Sequence, residues 1–186
     1  MTFSLPANHS FKKNSIGFSA PSLNSLNERE TVTNSYPEIL KLILQKHVQL
    51  AIWKRKLPIG FTNWLSLLQA EQLPNFRVLA RSSNLRKILQ TLLKSCGTPD
   101  ENMQRILVGD IEYLVSLFAK IAQTDCVDIR LETITNDACW KYHQDHVPVR
   151  LLTTYLGPAT QWVKPTYSEY ALRDQTQFAG PIENME

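Results

Sequence analysis

Between Thr98 and Ile134 the spacing of the apolar residues changes once, and that change limits the folds open to the chain. Ile106, Ile111, Leu114, Val115, Leu117, Phe118 and Ile121 recur with the 3.6-residue period of one helix face. After Asp125, in CVDIRLETIT, Val127, Ile129, Leu131 and Thr133 alternate with Asp128, Arg130, Glu132 and Ile134, the two-residue period of a strand with one wet face. A long helix therefore leads directly into a half-buried strand. Thr98-Pro99-Asp100-Glu101 predicts how that helix starts: Thr98 as the cap, Pro99 in the first helical position and Glu101 closing a capping box. Gly109, inside the helix, costs about 1 kcal/mol against alanine and predicts a break or a close approach.

The remaining elements follow from similar signals. Ile39, Leu40, Ile43 and Leu44 after Pro37 predict a helix starting near Tyr36. VQLAIW (Val48 to Trp53) and FRVLA (Phe76 to Ala80) read as short strands, and Phe61 to Gln69 as a helix entered at Thr62 or Asn63. Ser83 offers a cap to LRKILQTLLKS, which stops at Gly97. VRLLTTYL, from Val149 to Leu156, is dense enough in apolar and β-branched residues to predict a strand covered on both sides, ended by Gly157-Pro158. The first half thus reads as helical and the second as strand-rich, which is an α+β pattern and not the alternation of a doubly wound sheet.

At 186 residues the chain is long enough to bury one core. Its formal charge of +3, from 20 basic and 17 acidic residues without a long basic run, gives no electrostatic case for nucleic acid. Cys96, Cys126 and Cys139 are odd in number and lack CxxC spacing, which suits a reducing compartment and a cytoplasmic location. No window approaches a membrane span, and no secretory signal is visible. Residues 1–35, serine-rich and without an acid before Glu28, read as a disordered tail, and residues 36–186 as a single domain.

The densest chemistry is CWKYHQDHVPVR. In extended chain, residues i and i+2 point the same way, so His143 and Asp145 would bring an imidazole and a carboxylate toward one point. That is half of a two-histidine, one-carboxylate set for Fe(II), and a usable half for Zn(II). By spacing alone the plainer reading is a solvated loop histidine beside an aspartate, since HxD triplets are common. His146 falls on the opposite side and reads as a surface or outer residue; His9 and His47 are isolated. Arg150 reads as a salt-bridge partner of Asp128, Glu132 or Asp137, and Cys139 as a buried inert thiol or a soft ligand. Trp140, Tyr142, Tyr155 and Trp162 read as core, with the wall of a small-molecule pocket as the alternative.

IWKR at 52 to 55, IRLE at 129 to 132 and, above all, C-x-x-x-H-x-D-H-V-P-V-R-L-L-T-T-Y-L-G-P-A-T-Q-W from Cys139 to Trp162 resemble the bacterial family catalogued as domain of unknown function 1826. The resemblance runs from about Ile39 to Val163. It implies helices packed on an incomplete double-stranded β-helix, that is, a jelly-roll or cupin-like fold. It also implies a metal site at His143 and Asp145 of the kind used by Fe(II) and 2-oxoglutarate dependent oxygenases. Family members are encoded near zinc-homeostasis genes, so a non-catalytic zinc-related binding or interaction protein is the alternative, and an inactive truncated relative is a third reading. The family's later histidine and the basic clamp for 2-oxoglutarate have no counterpart here, because no histidine follows His146. The C-terminal part of the fold is accordingly expected to be lacking. The partners expected on this reading are a small-molecule substrate and further copies joined through an exposed sheet edge, with neither nucleic acid nor membrane.

Overall fold

The computed structural model describes residues 1–4, 30–134, 141–173 and 178–184. In chain order its regular elements are β1 (Thr2–Ser4), β2 (Glu30–Asn34), a 3-10 helix (Pro37–Leu44), β3 (Val48–Trp53), α1 (Ile59–Leu67), a 3-10 turn (Ala70–Gln72), β4 (Phe76–Arg81), α2 (Leu85–Ser95) and α3 (Glu101–Ala122). Then come β5 (Cys126–Leu131), β6 (Arg150–Leu152), β7 (Gln161–Val163), a 3-10 turn (Pro165–Tyr167), α4 (Ser168–Arg173) and β8 (Ile182–Asn184). The fold is α+β. Packing groups these elements into two compact units.

The first unit holds β1, α1, β4, α2, α3, β5 and β6. Its sheet has the order β4-β5-β1-β6 and is antiparallel throughout. In the β4–β5 pair, Phe76 faces Leu131, Val78 faces Ile129 and Ala80 faces Val127, while Arg77, Leu79 and Arg81 lie on the other face. The alternation read in CVDIRL is what places Val127, Ile129 and Leu131 in the core and leaves Arg130 exposed. α3 buries Leu107, Val108, Ile111, Leu114, Val115, Phe118 and Ile121, and α2 buries Leu85, Leu89 and Leu93 at four-residue steps. Arg86 of α2 also grips Glu112 of α3.

Several local details differ from the sequence reading. The cap of α3 is Asp100, not Thr98: its Oδ1 accepts from the amides of Asn102 (2.9 Å) and Met103 (3.2 Å), with the backbone at φ 62°. Thr98 is buried and committed elsewhere, donating its hydroxyl to the Gln72 carbonyl at 2.8 Å while its own carbonyl accepts from the Gln104 side chain at 2.5 Å. α2 enters at Asn84, not Ser83, and leaves through a Schellman closure. There the Thr98 amide reaches the Leu93 carbonyl (3.2 Å) and the Gly97 amide the Lys94 carbonyl (3.1 Å), with Gly97 at φ 68°. α1 starts at Ile59, earlier than Thr62, because Phe61 and Thr62 already donate to the Pro58 carbonyl. α3 runs unbroken through Gly109, where an added Cβ would meet nothing within 4 Å. Ile106 is 41% exposed and lies off the buried stripe.

The Val149–Leu156 run contributes only three residues to a strand, β6, which forms one edge of the sheet, paired with β1 alone, and is not covered on both sides as expected; Leu152 and Leu156 are exposed. Strands are spread along the whole chain, so the division into a helical and a strand-rich half does not hold. Of residues 1–35, Thr2–Ser4 and Glu30–Asn34 are strands, and 5–29 lie outside the described residues. β1 sits between β5 and β6, extended by a bond from the Thr153 amide to the Met1 carbonyl (3.0 Å). The Met1 ammonium donates to the Thr153 carbonyl at 2.7 Å, and burial holds its pKa below the ordinary 8.0 against the opposing pull of Glu132.

Apart from the 3-10 turn Ala70–Gln72, which belongs to the first unit, the second unit holds the remaining elements. β2 and β3 pair in parallel, with the 3-10 helix Pro37–Leu44 as their crossover. Ile39, Leu40, Ile43 and Leu44 are half-buried there, but with three residues per turn they spread round the helix and do not form the single buried stripe that their spacing predicts. β7 and β8 form an antiparallel ribbon, joined also by Lys164 and Glu183 at 3.2 Å. Among the described residues the strands make one four-stranded sheet and two ribbons, with no closed barrel.

Two substitutions follow from this packing. Gly109→Ala removes the glycine penalty in an open helical position and is expected to raise stability by about 0.5–1 kcal/mol in urea denaturation. Asp100→Ala removes both cap bonds and is expected to lower it by about 1 kcal/mol, with no change in the slope against urea.

Candidate metal-binding site

His143 and Asp145 lie in irregular backbone of the second unit. The two side chains are turned the same way, as the i, i+2 relation gives in extended chain. His143 Nε2 stands 3.7 Å from Asp145 Oδ1, with the side chains 51% and 33% exposed. The other ring nitrogen, Nδ1, is 3.0 Å from the Lys141 carbonyl. A carbonyl can only accept, so Nδ1 carries the proton, and in the neutral ring Nε2 presents its lone pair toward the carboxylate. This is the arrangement in which a histidine binds metal through one nitrogen while the backbone orients it through the other.

The pair is too far apart for a hydrogen bond. It is not too far apart to share an ion, since metal–nitrogen and metal–oxygen bonds of about 2.1 Å each allow donors up to about 4.2 Å apart. Only these two donors meet: no group of three or more histidine, cysteine, aspartate or glutamate side chains is assembled among the described residues. Cys139, Trp140 and Asp137 lie outside the described residues. His146 is exposed, at the start of the first unit's returning segment. His47 stands 3.6 Å from Glu30, beside the start of the β2–β3 pairing, which makes it part of that ribbon. His9 falls in the undescribed stretch.

The remaining residues singled out in the sequence are placed as follows. Asp128 is held in a two-pronged bond by Arg77 (Nε to Oδ1 3.1 Å, Nη2 to Oδ2 2.6 Å), which raises the Arg77 guanidinium pKa further, and Glu132 is paired with Arg130. Arg150 is exposed on the edge strand β6. Tyr155 packs edge-on against Phe61 at 6.0 Å and donates its hydroxyl to Asp110 at 2.6 Å, tying the chain after β6 to α3. Tyr142 packs edge-on against Phe178 at 5.5 Å, and Phe178 in turn lies 5.6 Å from Tyr170. Trp162 is half-buried on β7. Asp110 and Phe178 were not legible as partners, because neither stands near its contact in sequence; a phenylalanine in the otherwise polar end of the chain was the one available hint. A cleft of about 310 Å³ at the C-terminal end of α3 includes Ser82, Lys120 and Asp125 in its lining but no histidine or cysteine, so it offers no comparable ligand set.

No curated protein and no solved structure matches the chain. One family does, over residues 34–185, a span that contains His143, Asp145, the β7–β8 ribbon and all of α3. The chain belongs to the family described as "Protein of unknown function (DUF1826)".

Proposed function

We propose that this chain is a metal-binding protein in which His143 Nε2 and Asp145 Oδ1 are the two protein donors of an open divalent site. The observation that carries the reading is the 3.7 Å gap between an oriented imidazole nitrogen and a carboxylate oxygen. Two bonds of about 2.1 Å set at a right angle bring their donors to roughly 3.0 Å, and at the tetrahedral angle to roughly 3.4 Å. The observed gap is wider than both, and the tetrahedral shell of Zn(II) asks for the smaller movement of these part-exposed side chains. Two protein donors, against the three or four of usual zinc sites, make for weak binding with water or an added ligand filling the shell. A zinc ion held in this way supplies Lewis acidity to whatever occupies the open positions.

The second reading is an Fe(II)-dependent, oxygenase-like enzyme on a jelly-roll fold. It is supported by the likeness of C-x-x-x-H-x-D and the residues after it to such enzymes. The described residues do not fit its full donor set: no further histidine, cysteine, aspartate or glutamate joins the pair among them. No step through 2-oxoglutarate is therefore derived. The exposed edge strand β6 supports association with a further copy as part of either reading.

Titration with Zn(II) and, anaerobically, with Fe(II) tests the site. The wild type is expected to bind one equivalent with zinc preferred, and His143→Ala or Asp145→Ala to raise Kd about tenfold or more. A wild type that binds neither metal, or variants that bind as the wild type does, would defeat the reading. Decarboxylation of 2-oxoglutarate by the iron-loaded protein would instead favour the oxygenase.

A further inference from the structure

Phe178 joins the end of the chain to the residue beside the metal pair. Its ring is 5.5 Å from Tyr142 at 73° and 5.6 Å from Tyr170 at 56°. From a third side it is met by backbone: a Cβ built on Gly180 would lie 2.3 Å from Phe178 Cζ and 2.7 Å from Cε2, so that only glycine lets the chain pass so close to the ring. Two residues on, β8 is fixed to β7 by the ladder Gln161 to Asn184, Trp162 to Glu183 and Val163 to Ile182. The half-buried ring is thus packed against two tyrosines and a glycine, and the chain that carries it is anchored.

The Tyr142 end of this cluster bears on the site. Tyr142 immediately precedes His143, and Lys141, on its other side, supplies the carbonyl that orients the imidazole. Fixing the Tyr142 ring fixes the stretch of backbone that determines both the place of that carbonyl and the direction of His143 Nε2. We infer that Phe178 is a positioning residue for the His143–Asp145 pair, acting through Tyr142. It touches neither donor, and for its effect on metal affinity the inference rests on the metal-binding reading above.

Two variants disturb the ring in opposite ways: Phe178→Ala removes it, and Gly180→Ala forces it aside without deleting an atom. The first readout needs no metal, namely the ring resonances of the four histidines in proton–carbon correlation spectra. Both variants are expected to shift the His143 resonances and leave those of the other three in place. The second readout is Zn(II) affinity by competition with a chromophoric chelator, where Kd is expected to rise about tenfold in both variants, as when an orienting partner of a ligand is lost. Tyr142→Phe keeps the ring and is expected to retain wild-type values in both. Folded variants with unmoved His143 resonances would overturn the inference, as would equal shifts at all four histidines, which mark general support of the fold. Should Phe178→Ala fail to fold, Gly180→Ala carries the comparison. A wild type that binds no zinc, in variants of which His143 still moves selectively, leaves the positioning role intact and removes the metal reading alone.

Discussion

The burial of one stripe of α3 is the constraint on which the first unit depends. Leu107, Val108, Ile111, Leu114, Val115 and Phe118 are all nearly inaccessible, and the helix contacts α1, α2 and β5. Full burial of a leucine, valine or phenylalanine is worth about 1.5–3 kcal/mol, so this stripe outweighs any cap or surface ion pair in the unit by several fold. The strands are sorted by it. β5 offers Val127 and Ile129 to the core, and β4 can join only in the register that sets Val78 against Ile129 and Ala80 against Val127. A slip of one residue would turn Arg77 and Arg81 inward. The arginines are held outward at little cost, Arg77 by Asp128 and Arg81 toward Asp125.

Where a residue's environment is decided by its own element, the sequence reveals it. The periods of α3 and β5, the strands at Val48–Trp53 and Phe76–Arg81 and the glycine stop of α2 are all of this kind. The misreadings occur where a distant group intervenes. Thr98 is a good cap by local rules, but the Gln72 carbonyl takes its hydroxyl, and the cap passes to Asp100. VRLLTTYL is apolar enough for a covered strand, but its place at the sheet edge allows three residues to pair and leaves Leu152 and Leu156 in water. Apolar density states that burial would be favourable, not that a neighbour exists to provide it. β1 could not be read at all, because three residues carry no period and their partners, Asp128 to Arg130 and Arg150 to Leu152, lie far along the chain.

The candidate site divides the same way. That His143 and Asp145 share a side follows from their spacing, and their adjacency was legible for that reason. The aromatic support around Phe178 depends on the path of the chain between Tyr142 and Gly180, which no local rule supplies. Stability does not account for the pair: exposed ion pairs contribute about 0–1 kcal/mol, and here the 3.7 Å gap forgoes the hydrogen bond that would secure even that. Here the His143 ring is turned by the Lys141 carbonyl, which spends Nδ1 and leaves Nε2 facing the carboxylate across a space of roughly the width of one coordinated ion.

A motif in sequence specifies which donor atoms are present; it does not specify their bite. HxD followed by an apolar strand suggests iron because the donors match, an imidazole and a carboxylate. Octahedral iron also requires that neighbouring donors approach to roughly 3.0 Å, about 0.7 Å less than the gap observed. A turn of either part-exposed side chain closes that gap, and on the histidine side the bond from Nδ1 to the Lys141 carbonyl opposes it. Zinc, without a geometric preference of its own, asks for a smaller turn. On the proposed reading, the spacing of the donors therefore bears on which metal the pair takes, and the resemblance to an iron motif carries no information on that point.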